Sequence, residues 1–128
     1  MNSAPLPSHP LLQRLIQSAG VQAGLTPRSL RRAVSRRHWD SLLCSAHPAH
    51  LPHLIVIRWL ARRDARSDRE ALALLNRGIR YLQRAAARFD DPVVKSGLEE
   101  WARDFRKCAD FLSPSTDGET ASNRNLRS

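Results

Sequence analysis

Two stretches of this chain carry the same apolar rhythm on either side of a four-residue break, and no other feature limits the fold as tightly. Leu72, Leu75, Ile79, Leu82, Ala86 and Phe89 recur at alternating steps of three and four residues. After "FDDP", Val94, Leu98, Trp101, Phe105, Cys108 and Leu112 follow the same steps. Such spacing lines apolar side chains along one side of an α-helix, so each run predicts a long amphipathic helix with a heptad seam. Two long helices joined by so short a connection must fold back antiparallel. Reflection about the loop sets Phe89 near Val94, Leu82 near Trp101 and Leu75 near Cys108, with Gly97 opposite Ala86. Ser67 and Glu70 have the spacing of a capping box at the start of the first run, so the hairpin is predicted over 68–112.

The remainder also reads as helix. Pro10 suits a first helical position, and Leu12, Ile16, Ala19 and Ala23 then share a face that stops at Gly24. Thr26-Pro27 is a cap followed by a first-turn proline, and Leu30, Ala33 and Val34 form the apolar side of the helix it starts. The phase changes near residues 35–38, and Trp39, Leu42, Leu43 and Ala46 predict a separate short helix. "HPAHLPH", residues 47–53, reads as a loop because Pro48 and Pro52 resist helix interiors. "LIVIRWLARR" follows; its length and the placement of Pro52 favour a buried helix over a strand, and no second strand exists for pairing. The fold class expected is all-α with about five helices. Short basic helices occupy residues 10–46 and a helical core residues 53–112, within one domain over 10–112. Residues 1–9 are expected to be flexible, and the polar residues 113–128 disordered.

Charge placement narrows the function classes. The net charge is +9, and residues 1–63 hold nine arginines against a single acid, Asp40. Residues 64–112 hold ten basic residues against nine acids. An excess confined to one half points to a polyanionic partner, most often nucleic acid. Nineteen of the 21 basic residues are arginine, the side chain that grips phosphate with a planar fork and stacks on bases. An Arg-rich, acid-poor start also fits a mitochondrial transit peptide, but the apolar pattern there is that of folded structure. Two cysteines make no disulfide framework, no secretory signal is visible, and no apolar run approaches the roughly 20 residues of a membrane span. A cytoplasmic location without membrane attachment is therefore expected.

The stretch "GLTPRSLRRAVSRRHW" concentrates the charge: Arg28, Arg31, Arg32, Arg36 and Arg37, with no acid among them. Residues 16–30 have the parts of a helix-turn-helix. Gly20 is small where two helices would cross, Gly24 supplies the turn, and Leu25, Leu30 and Ala33 fix the second helix onto the first. The exposed side of that second helix would carry Arg28, Arg31 and Arg32. Locally, "AGLTPRSLRRAV" resembles the recognition segment of AraC-type transcription activators, in which a Ser/Thr-Pro-Arg-x-Leu-Arg-Arg run is common. The likeness covers residues 23–34, without the second helix-turn-helix repeat of that family, and Gly20 departs from the pattern before the turn. It implies Arg28, Ser29 and Arg32 as base-edge or phosphate contacts. An ordinary Thr-Pro helix start on a cationic helix accounts for the same residues, as does a phosphate-binding face that reads no sequence.

Other groupings carry less. Arg77, Arg80, Arg84 and Arg88 form a second basic stripe on the side of their helix away from the seam, either a solvated back or a phosphate rail. Cys44, His47, His50 and His53 stand every third residue. In a polyproline-like run successive side chains on that edge are roughly 9 Å apart, too far to share a metal, so no metal site is expected. Cys44 and Cys108 read as small buried hydrophobes. Asp90-Asp91 and Glu99-Glu100 are adjacent pairs, which do not face each other on a helix. With no Gly-rich phosphate loop and no nucleophile–base pair, neither a cofactor nor an enzyme is expected.

Two functional expectations follow. The first is a non-catalytic protein that binds DNA or RNA through Arg28, Ser29, Arg31, Arg32, Arg36 and Arg37, as a small regulator or a helical subunit of a nucleoprotein complex. A homodimer would favour the regulator, because groove readers commonly bind as two-fold pairs. The second is a helical adaptor or inhibitor that docks on a larger protein complex through the hairpin or through Trp39 or Trp59.

Overall fold

The computed structural model describes residues 6–34 and 39–113. It is all-α, with helices α1 (Pro10–Gln22), α2 (Pro27–Val34), α3 (Trp39–Ser45), α4 (Leu51–Leu60), α5 (Asp68–Arg88) and α6 (Pro92–Leu112). No strand occurs among the described residues.

The α5–α6 hairpin forms as its two seams dictate. Ser67 Oγ accepts from the Glu70 amide at 3.1 Å, and Asp91 Oδ1 accepts from the amides of Val93 and Val94 at 2.8 and 3.4 Å. Each cap satisfies N–H groups that the first helical turn leaves without partners. The capping box is displaced by one residue: Glu70 Oε1 accepts from the amide of Arg66, at 2.7 Å, instead of that of Ser67. Leu75, Leu82, Val94, Leu98 and Phe105 are buried along the seam.

α4 is the central helix. From Leu54 to Ala61 every residue but Arg58 is buried, and α4 packs on α1 on one side and on α6 on another. A helix apolar nearly all round its circumference has to be covered on more than one face. Two glycines set how closely its neighbours come. A Cβ on Gly78 of α5 would fall 2.6 Å from Phe105 Cε2 and 2.9 Å from Trp59 Cζ3, so the bare backbone there admits two rings. A Cβ on Gly97 would fall 2.5 Å from Pro52 Cγ. The space at Gly97 therefore admits α4, whereas the sequence pattern assigned it to Ala86 of α5. What meets Ala86 is Lys95, whose Nζ donates to its carbonyl at 3.0 Å.

Residues 6–9, expected to be loose with the rest of 1–9, are clasped to the start of the hairpin. Pro7 and His9 are buried. Ser8 donates from its amide and hydroxyl to the two Asp64 oxygens at 2.9 and 2.6 Å, and the His9 amide donates to Asp64 Oδ1 at 3.1 Å. Burial alone would raise the Asp64 carboxyl, but the bonds from Ser8, His9 and Ala65 hold it down at about 2. His9 caps α1 by accepting from the Leu11 amide at Nδ1, which leaves Nε2 to donate to Asp68, 2.9 Å away.

The histidine stretch is neither extended nor wholly loop. Residues 48–50 turn and Leu51 opens α4, so the His47 and His50 rings lie 6.3 Å apart and His53 stands on the helix. His53 Nδ1 accepts from the indole N–H of the buried Trp101 at 2.9 Å. That bond requires neutral His53 with its proton on Nε2. Burial first, then the neighbouring His50 charge, lower its pKa below the ordinary value, while Glu100 opposes. The contribution to stability is thus complete above about pH 6.5 and lost as pH falls from there toward the lowered folded value. Wild type should melt lower at about pH 5 than at about pH 7.5, and His53→Gln, which keeps an acceptor and cannot titrate, should lose that part of the difference. An unchanged pH dependence in the variant would show that His53 is not responsible.

Candidate nucleic-acid interface

The sequence placed its strongest site on α2, and the turn ahead of that helix is closed as a Schellman motif. Gly24 takes φ +79°, the Gly24 amide donates to the Val21 carbonyl at 3.0 Å, and the Leu25 amide donates to the Gly20 carbonyl at 2.8 Å. Thr26 Oγ1 accepts from the Ser29 amide at 3.0 Å and caps α2. Leu30 then seats against bare Gly20, where an added Cβ would lie 3.2 Å from Leu30 Cδ2. Gly20, Gly24 and Leu30 thus fix the turn and seat α2 on α1.

With Leu30 and Val34 buried, Arg28, Ser29, Arg31 and Arg32 are turned to the exposed side of α2. Ser29 Oγ accepts from Thr26 Oγ1 at 3.0 Å, which ties the serine to the cap and leaves its own proton free to donate. Among the described residues no ion pair joins Arg28 or Arg31 to a carboxylate. Arg36 and Arg37 lie outside the described residues.

The second stripe is also exposed at Arg77, Arg80, Arg84 and Arg88, and none of the four is ion-paired among the described residues. Arg84 and Arg88 line an open hollow of about 400 Å³ with Arg58 of α4, and Leu43, Tyr81 and Phe89 supply apolar wall. Arg58 also lines a neighbouring hollow of about 570 Å³, with Val34, Trp39 and Arg62. Arg63, beside them, is already engaged. Its guanidinium carbon lies 4.4 Å from the centre of the Trp59 ring, and it donates to the Trp59 carbonyl. Burial, and secondly the charge of Arg77, lower the Arg63 pKa.

Arg58, Arg62 and Arg63 were not among the candidate site residues read from the sequence. The available signal was "LIVIRWLARR" itself, since an arginine inside an otherwise buried run has to leave the core at that point. Arg62 carries a further mark: its φ of +69° is a left-handed conformation in which a side chain with a Cβ is strained.

Three other readings are corrected. Cys44 is exposed, because α3 turns Leu42 and Leu43 toward the core and leaves the next position outside. Trp59 is only 8% exposed and stacks on Tyr81 at 5.8 Å, so it presents no docking surface. Cys108 is half-buried, and burial, with Asp104 second, raises its thiol pKa, the reverse of an activated nucleophile. Among the described residues no three His, Cys, Asp or Glu side chains are grouped to hold a metal ion, and no helix is long and apolar enough to cross a membrane.

The chain matches no protein-family model, no curated protein and no solved structure.

Proposed function

We propose that this protein is a non-catalytic nucleic-acid-binding protein that holds the phosphate backbone on the outer face of α2, as a small regulator or a helical subunit of a nucleoprotein complex. One observation carries the reading: α2 is locked onto α1 through Leu30 and Gly20 so that Arg28, Arg31 and Arg32 face solvent together, with Arg28 and Arg31 unpaired to any carboxylate among the described residues. Arg28 and Arg31, carried on a helix fixed in place and without a carboxylate partner among the described residues, attract a polyanion. Ser29 adds a neutral donor between them. Arg77 and Arg80 are exposed on α5 and add to the cationic surface of the molecule.

The test is fluorescence anisotropy with labelled duplex DNA and single-stranded RNA at two salt concentrations. Binding should weaken steeply with salt, and changing Arg28, Arg31 and Arg32 together to alanine should reduce the slope of log K against log salt by about 3. Absence of binding to either polymer at low salt would sink the proposal.

The adaptor reading keeps one observation in its favour. Val21 is 74% exposed beside α2, in a hollow it lines with Leu6, Pro27 and Leu30. A partner docked there would bind with little salt dependence, which separates the two readings in the same assay.

A further inference from the structure

Beyond α2, two hollows share Arg58, one lined from α3, α4 and α5 and the other by Val34, Trp39, Ala61, Arg62 and Arg63. We infer that they act as one arginine-lined track that binds a single strand of nucleic acid, with phosphates on Arg58, Arg62 and Arg84 and unpaired bases against the rings of Tyr81 and Phe89; the inference rests on the proposed function and gives it a substrate form.

Charge comes first. Arg58, Arg62, Arg84 and Arg88 belong to the two hollows, and among the described residues no Asp or Glu lines either of them. None of these four arginines is ion-paired among the described residues. Arg63, the nearest competitor, is occupied by the ring and carbonyl of Trp59. A track of one sign, walled partly by apolar side chains, focuses its field on an anion that enters.

Shape and chemistry then choose among polyanions. Tyr81 and Phe89 are half-buried and show part of their rings to the first hollow, and Trp39 does so in the second. Rings recessed beside arginines suit flat bases freed from pairing, because every base has a face that stacks. A duplex keeps its bases paired inside and offers a concave pocket only its backbone. An acidic or phosphorylated peptide would satisfy the arginines and leave the rings without a matching group.

Arg62 supports the assignment. Glycine would relieve its left-handed backbone, yet the position holds an arginine that lines the track. Strain kept at such a position points to a use for the side chain.

The experiment measures anisotropy of labelled probes on the full chain: an oligouridylate of about ten nucleotides, an abasic strand of the same length, a DNA duplex and a doubly phosphorylated acidic peptide. The variants are Arg58→Gln, Arg84→Ala, Phe89→Leu and Arg62→Gly, each checked for an unchanged helical signal and melting temperature. The inference expects the oligouridylate to bind at least about tenfold more tightly than the abasic strand. Arg58→Gln and Arg84→Ala should each weaken it several-fold, and Phe89→Leu should narrow its margin over the abasic strand. Arg62→Gly should loosen it without loss of stability, so binding is read on a variant that folds at least as well as wild type. Duplex binding should follow the α2 arginines and ignore Phe89→Leu.

Equal affinity for the abasic strand would overturn the inference, as would indifference to Arg58→Gln and Arg84→Ala, or tighter binding of the peptide. Duplex binding lost with the α2 arginines but no binding of the oligouridylate would remove this inference alone. Failure of every nucleic-acid probe would remove the proposed function with it.

Discussion

Phe105→Ala is expected to lower the stability of the fold by about 3–5 kcal/mol, the range for emptying a buried aromatic site. Phe105 is fully buried, its ring centre 6.1 Å from that of Trp59 and 6.4 Å from that of Trp101. It joins all three helices of the core, and the bare Gly78 backbone lies against it. The surrounding rings are themselves held, Trp59 by Tyr81 and Arg63 and Trp101 by His53, so collapse into the space is limited. A domain of this size has a net stability of about 5–15 kcal/mol, and the loss is a large part of it. Urea titration should show a lower midpoint at an unchanged slope. A loss below about 1 kcal/mol would mean that the ring is not packed as described.

The second large effect comes from filling the same contact. Gly78→Ala removes a glycine from a helix interior, which by itself is worth about 1 kcal/mol in the stabilising direction. The new methyl would fall 2.6 and 2.8 Å from two carbons of Phe105 and 2.9 Å from Trp59. Neither ring is free to retreat, because each is buried against the other and against a further ring. Overpacking of this kind costs about 1–3 kcal/mol, and with contacts this short the clash outweighs the propensity, for a net loss of up to about 2 kcal/mol. Gly78→Leu should cost more. Pairing Gly78→Ala with Phe105→Leu should recover part of the loss, and a coupling of about 0.5–3 kcal/mol would locate the strain at this contact. A stabilised Gly78→Ala protein would show the reverse ordering of the two terms.

The hairpin was legible because a helical seam has a period and a short loop leaves one way to close it. The crossing at Gly20 and the turn at Gly24 were legible for a related reason: each needs a residue without a side chain, and the spacing places them. What the sequence hid were the choices between equivalent neighbours. Gly97 announces a close approach but not which helix approaches, and Pro52 of α4 took the place assigned to Ala86. Arg58 looked like an interruption in an apolar run until α3 and α5 were placed on either side of it. His53 looked like one of a row of loop histidines, because its indole partner is remote in sequence. The second arginine stripe is solvent-exposed as the sequence allowed, and what the pattern hid is that Tyr81 and Phe89 lie beside its Arg84–Arg88 end. The proposed function has no periodic signature, and its support is the charge of Arg28 and Arg31, which have no carboxylate partner among the described residues.

The placement of α4 also orders the birth of the protein. Its apolar circumference is made before α6, which covers one side of it, and α1 is the partner already present. At about 5–20 residues per second, the stretch 61–112 takes roughly 3–10 s to synthesise. Over that interval the nine arginines of residues 1–63 and the apolar helix belong to a chain whose hairpin is not yet complete.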